Sequence, residues 1–191
     1  MPVPPRRRVP ALLQVDAILG RLTGTDARAE VCRYLRGEFG HYDWVGIYRR
    51  DGAELLLDGW DGEAATEHLR IPVAEGLCGR AVRENRVVRV DDVTTEPAYL
   101  SCFVSTRSEI VVPIRVGAEP VGEIDIDGRT LAAFDATDEA FLTEVAARLA
   151  ATFGSGAAPT AAADGSLPVL RGGRPTGGPD PSRSDGSGPP G

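Results

Sequence analysis

Residues 109–127 read Glu-Ile-Val-Val-Pro-Ile-Arg-Val-Gly-Ala-Glu-Pro-Val-Gly-Glu-Ile-Asp-Ile-Asp. Two runs rich in β-branched residues, Glu109–Ile114 and Pro120–Asp127, flank Val116-Gly117-Ala118, the pattern of a hairpin. In the second run Glu123, Asp125 and Asp127 alternate with Ile124 and Ile126, so the acids share one strand face. Glu109 opens the first run and, once the strands pair, lies opposite or near Asp125 or Asp127. The pattern has two readings. One is a solvated strand face. The other is a carboxylate cluster facing a pocket, where crowding raises the pKa of its members until one keeps its proton at neutral pH. Such a cluster suits a ligand carrying an ammonium group and sets a proton donor beside it.

Upstream, Trp44-Val45-Gly46-Ile47-Tyr48 and Glu54–Leu57 surround Asp51-Gly52, a second hairpin signal. Ile71–Val73 and Val87–Val90 read as short strands, and Gly76–Val82 as a glycine-punctuated turn into a short helix. Thr94–Thr106 has no period and reads as a long loop, a place where function concentrates. Leu12, Val15, Ile18, Leu19 and Leu22 fit one helical face. Val31, Leu35 and Phe39 mark a second helix over 26–39 stopped by Gly40, with Cys32 on its face as a buried packing thiol. Asp135–Phe153 is an amphipathic helix capped by Asp135, its apolar side formed by Phe141, Leu142, Val145, Leu149 and Phe153. This order predicts an α+β architecture with helices packed on a central antiparallel sheet.

The 191 residues are 42% hydrophobic, enough for one ordinary domain, assigned to residues 11–153. Residues 154–191 hold 10 of the 23 Gly and 7 of the 15 Pro and no aromatic residue, the composition of a disordered tail. Residues 1–10, with Arg6-Arg7-Arg8, are expected to form a disordered arm. Three cysteines are too few for a disulfide scaffold. A net charge of −7 argues against a nucleic-acid partner, whose phosphates demand cations. All 21 basic residues are Arg, which excludes lysine Schiff-base chemistry, and two His residues exclude a His-rich metal site. No Cys/His set has metal-ligand spacing, so no metal is expected. No apolar run approaches the roughly 18–20 residues that span a bilayer, and Ala11–Leu22 lacks the uniform apolar spacing of an export signal. A cytoplasmic protein without a membrane partner is expected.

Two thiols lie in irregular sequence. Cys78 sits between glycines at a helix start, which favours its thiolate. Cys102 lies in the long loop, in Ser101-Cys102-Phe103. Trp44 and Tyr48, four apart on a strand, face one side, either as core or as the wall of a small-ligand pocket near the acids.

In order and spacing, Trp44-Val-Gly-Ile-Tyr48, Arg70-Ile-Pro-Val-Ala-Glu-Gly-Leu-Cys78-Gly, Cys102 with Ser108-Glu109-Ile-Val-Val-Pro, and Gly122-Glu-Ile-Asp125-Ile-Asp127 together resemble the GAF-domain free methionine-(R)-sulfoxide reductases. The resemblance runs from about Ala27 to Leu149. It implies a GAF fold with a central antiparallel sheet of about six strands. It also implies reduction of the free amino-acid sulfoxide by Cys102 as nucleophile, with Cys78 as the thiol that resolves the sulfenic acid. Glu109, Asp125 and Asp127 match the acids that hold the substrate and help protonate its oxygen, and Trp44 and Tyr48 match the residues enclosing the methyl–sulfur end. No cofactor is implied; a thioredoxin-type protein regenerates the thiols, and a homodimer is compatible with the resemblance. One departure is that His68, in His68-Leu69-Arg70-Ile71-Pro72, stands where the family usually has a third cysteine. It is an auxiliary candidate for stabilising the Cys102 thiolate, or else a polar rim residue. The alternative to an enzyme is a GAF module that binds a small molecule, or senses redox state through Cys78 and Cys102, without turnover.

Overall fold

The computed structural model describes residues 3–97, 99–100 and 103–153. The expected tail over 154–191 and Cys102 therefore lie outside the described residues. The strands are β1 (Trp44–Asp51), β2 (Glu54–Asp61), β3 (Arg70–Pro72), β4 (Val88–Val90), β5 (Ser108–Val116) and β6 (Glu119–Gly128). The helices are α1 (Pro5–Leu19), α2 (Gly24–Glu38), α3 (Gly76–Glu84) and α4 (Ala136–Leu149), with short 3-10 turns at Val93–Thr95 and Ala150–Thr152. The strands form one antiparallel sheet in the order β3-β2-β1-β6-β5-β4. Both expected hairpins are present, and the β1–β6 pairing joins them at the centre of the sheet.

Strand alternation divides the sheet into unlike faces. Val45, Ile47, Ile110, Val112, Ile114, Ile124 and Ile126 pack with Val15, Ile18, Leu35, Phe141 and Leu142 beneath α1, α2 and α4. Each such fully buried side chain contributes roughly 1.5–3 kcal/mol. The opposite face carries α3 and a smaller apolar cluster that includes Leu55, Ile71, Leu77, Ala81 and Val111. Asp135 caps α4 as expected, accepting from the Thr137 and Asp138 backbone N–H groups, while the Asp138 side chain accepts from the Asp135 N–H at 3.0 Å. The buried Asp138 Oδ1 also accepts from the Tyr42 hydroxyl at 2.9 Å and meets His41 Nε2 at 2.8 Å, tying α4 to the segment that enters β1.

One boundary differs from the sequence reading. Helix α1 starts at Pro5, so residues 5–10 are helical rather than a disordered arm. Proline is favoured at a first helical position because its missing N–H would be unpaired there anyway. Two of the three arginines are held in ion pairs: Arg7 pairs with Glu38 at 2.6 Å and Arg8 pairs with Glu144. Val3, only 2% exposed, packs into the core. Strand β2 also runs beyond Leu57 to Asp61, across a register shift opposite Ile47 and Tyr48. No described helix is long and apolar enough to cross a membrane.

Candidate active site

The α3 face of the central strands holds the acids. On β6, Glu123, Asp125 and Asp127 point to this side, and pairing gives each two neighbours. Asp127 lies between Trp44 of β1 and Glu109 of β5, Asp125 between Gly46 and Val111, and Glu123 between Tyr48 and Pro113. All four carboxylates are buried, with exposures of 3% for Glu109, 0% for Glu123, 1% for Asp125 and 3% for Asp127. That rules out the solvated-face reading. Helix α3 lies across them, and the Cys78 thiol in its first turn donates to Asp125 Oδ2 at 3.6 Å.

Trp44 and Tyr48 stand on the same face as the acids, in the smaller apolar cluster. Two glycines make room for the indole. A Cβ at Gly46 would lie 2.3 Å from the Trp44 ring, and one at Gly62 2.2 Å from it, so any side chain at either position would displace the ring. Phe103 approaches the indole with ring centroids 6.0 Å apart. The Tyr48 hydroxyl donates to the backbone carbonyl of His68 at 3.0 Å, and the His68 N–H donates to Thr66 Oγ1 at 3.1 Å. The segment bearing His68 thus borders the site and orients Tyr48 through its main chain.

Four buried carboxylates on one face repel one another and lack water. Burial, then the charges of Asp125, Asp127 and Glu123, push Glu109 well above the ordinary carboxylate range, and Arg80 offsets little of this because it pairs with Glu96 at 3.0 Å. Burial followed by Asp125 raises Glu123, and burial followed by Asp127 raises Asp125; in both cases the Cys78 thiol works in the opposite direction. Asp127 is raised to about 7, chiefly by burial, with the Thr106 side chain opposing. Among the described residues, both oxygens of Glu123 and of Asp127, and Oδ1 of Asp125, are buried without a hydrogen bond of ordinary geometry, as is the Trp44 indole nitrogen. Buried polar atoms are seldom left so. A group of acids with unspent acceptors calls for a cationic or proton-donating ligand and, without one, holds its own protons.

A cavity of about 110 Å³ opens on Asp127 and is lined also by Phe103, Ser105, Thr106 and Arg129. Leu100 lies against Gly76 at the start of α3, and Phe103 against Trp44, so the described ends of the long loop both meet this face. Cys32 lies elsewhere: it is fully buried in the core under the helices, and burial pushes its thiol well above the ordinary range.

Of the residues singled out from sequence, Trp44, Tyr48, Cys78, Glu109, Asp125 and Asp127 come together on one face, with the His68 backbone at its edge. Cys102 lies outside the described residues. Burial beside Asp125 adds Glu123, the first acid of the alternating run, to the site. Gly46, Gly62, Phe103 and Thr106 carried no local signal, because their part depends on what the fold brings against them.

Comparison with known proteins bears on the fold and the family. The GAF domain family model matches residues 26–153. The free methionine-R-sulfoxide reductase of Escherichia coli (strain K12) is 36% identical over 107 residues, covering 56% of this chain and 64% of that protein. The chain therefore spans just under two thirds of that relative's length. The structure of the type II free methionine-R-sulfoxide reductase from Thermoplasma acidophilum is 40% identical with a TM-score of 0.64, covering 76% of this chain and 94% of that one. The free methionine-R-sulfoxide reductase of Neisseria meningitidis, in complex with its substrate, is 34% identical with a TM-score of 0.71, covering 76% and 87%. With its six-stranded antiparallel sheet and a family match over residues 26–153, the chain belongs to the GAF domain family.

Proposed function

We propose that this GAF domain reduces free L-methionine-(R)-sulfoxide to L-methionine by thiol chemistry. The observation that carries the reading is the set of four buried carboxylates, three of them with oxygens that accept no ordinary hydrogen bond from the described residues, placed beside a thiol and an aromatic wall. An amino-acid ammonium brings the positive charge and donors that these oxygens lack, in charge-assisted hydrogen bonds. Trp44 and Phe103 offer an apolar surface to the methyl–sulfur end. Relatives of this chain are named for that reaction, and one is solved with its substrate.

In this reading the Cys102 thiolate attacks the sulfoxide sulfur while a carboxyl of the cluster protonates the departing oxygen. Asp127, with a pKa of about 7, is suited to give and recover a proton at neutral pH. The oxygen passes to Cys102 as a sulfenic acid, and methionine leaves with its sulfur reduced. Cys78 then attacks the Cys102 sulfur and expels water, forming a disulfide. A thioredoxin-type dithiol returns both cysteines to thiols and is itself oxidised. His68, in place of a third family cysteine, leaves Cys78 as the resolving thiol. No metal or cofactor enters these steps, and the compartment proposed is the cytoplasm, where thiols stay reduced.

The test is turnover on separated R and S isomers of free methionine sulfoxide, with thioredoxin, thioredoxin reductase and NADPH. The expected result is turnover of the R isomer alone. Turnover of neither isomer by folded, reduced protein would sink the reading and favour a binding or sensing module.

A further inference from the structure

We propose that Cys78 Sγ, one oxygen of Glu109 and one of Asp125 form a binding site for a thiophilic divalent cation, zinc above all, and that the bound cation shuts the acidic face to an ammonium ligand. The three ligand atoms lie within 4.8 Å of one another, on residues that are all buried. The Cys78 Sγ to Asp125 Oδ2 distance is 3.6 Å. A tetrahedral zinc with Zn–S of about 2.3 Å and Zn–O of about 2.0 Å sets sulfur and oxygen roughly 3.5 Å apart. That edge of the site is already the right length. The remaining edges, those to Glu109, are no longer than 4.8 Å.

The chemistry of the neighbours points the same way. Glu123, with 0% exposure, adds a further carboxyl beside Asp125, and Asp125 Oδ1 accepts no hydrogen bond from the described residues. The described cations near this face are already paired, Arg80 with Glu96 and Arg129 with Glu63. A dication would take the place of protons that crowding and burial otherwise keep on these carboxyls. A thiolate with two carboxylates suits zinc or cadmium, whereas magnesium and calcium prefer six or more oxygen ligands. Three protein ligands leave a fourth tetrahedral position open, the pattern of an exchangeable site rather than a closed structural one. Binding releases the thiol proton, as at any thiolate site.

The metal site stands on this geometry alone; its inhibitory consequence rests on the function proposed above. The test uses the full reduced chain. Equilibrium dialysis with zinc is expected to give one tight site, with cadmium producing the ultraviolet charge-transfer band of a metal–thiolate bond. Cys78→Ser should remove the band, and Glu109→Gln should weaken binding on the order of 100-fold or more, since even outer partners of metal ligands are worth 10–100-fold. Circular dichroism of each variant separates loss of a ligand from loss of the fold. Cys32→Ser should bind as the parent does, and free methionine should compete with zinc. Three results would overturn the site: no bound zinc, a cadmium–thiolate band that survives Cys78→Ser, or calcium displacing zinc at equal concentration. A chain that turns over sulfoxide yet binds no zinc refutes only this inference; one that binds zinc and turns over neither isomer refutes only the proposed function.

Discussion

The two faces of this sheet are built from the same strands and have opposite chemistry. Under α1, α2 and α4, residues such as Ile47, Ile124 and Phe141 are fully buried and touch one another, with no acceptor left over. Across the sheet, one residue further along β6 each time, Glu123, Asp125 and Asp127 are equally buried but leave acceptors unpaired. The cysteines divide likewise: Cys32 is packing material in the first face, and Cys78 donates to an acid in the second. A period of two thus separates a face that stabilises the fold from one that the fold has to tolerate. Natural proteins retain such costly groups where they bind or react.

Substitutions on the two faces should therefore act on different observables. The largest effect expected is from Cys102→Ser, which should abolish turnover and leave the thermal transition in place; turnover like the parent's would remove Cys102 from the mechanism. Next come Glu109→Gln, Asp125→Asn and Asp127→Asn, each expected to lower kcat/KM on the order of 100-fold, the scale of a lost proton donor. Steady-state kinetics unchanged in all three would break the comparison, since the acidic face would then be no site. Phe141→Ala, on the helical face, should cost about 3–5 kcal/mol in denaturant unfolding, with kcat/KM per folded molecule preserved.

A subtler expectation concerns pH. Unfolded, an aspartate loses its proton near its ordinary 3.8, whereas folded Asp127 holds it up to about 7. Between these values the folded form binds the extra proton, so Asp127 makes the protein less stable as pH rises across that window. Denaturant unfolding of wild type and Asp127→Asn from pH 4 to 8 should show the wild type losing stability relative to the variant as pH climbs. A parallel pair of curves would mean that Asp127 titrates normally. The smallest effect is expected for Cys32→Ser: a modest drop in Tm from a hydroxyl placed among apolar side chains, with unchanged kcat/KM.

Much of this is legible in the sequence. The run Val-Gly-Glu-Ile-Asp-Ile-Asp over 121–127 declared both its strand and the common face of its acids, because a strand's side chains alternate whatever surrounds them. Asp135 announced the start of α4 because a cap is a contact within a few residues. The start of α1 was missed for the opposite reason. Arg6-Arg7-Arg8 reads as solvated, and the partners that hold Arg7 and Arg8, Glu38 and Glu144, come from α2 and α4.

What the sequence determined by itself, then, was which residues share a face, where the turns and caps fall, and which chemical groups the chain carries. Which face would be buried was decided only by the tertiary structure. Pairing of β1 with β6 set Trp44 beside Asp127 and Tyr48 beside Glu123, and packing of α3 set the Cys78 thiol on Asp125. Those contacts join segments far apart in the chain, so no local period encodes them. The same burial turned four ordinary carboxyls into raised ones, because desolvation depends on what covers a group and not on its neighbours in sequence.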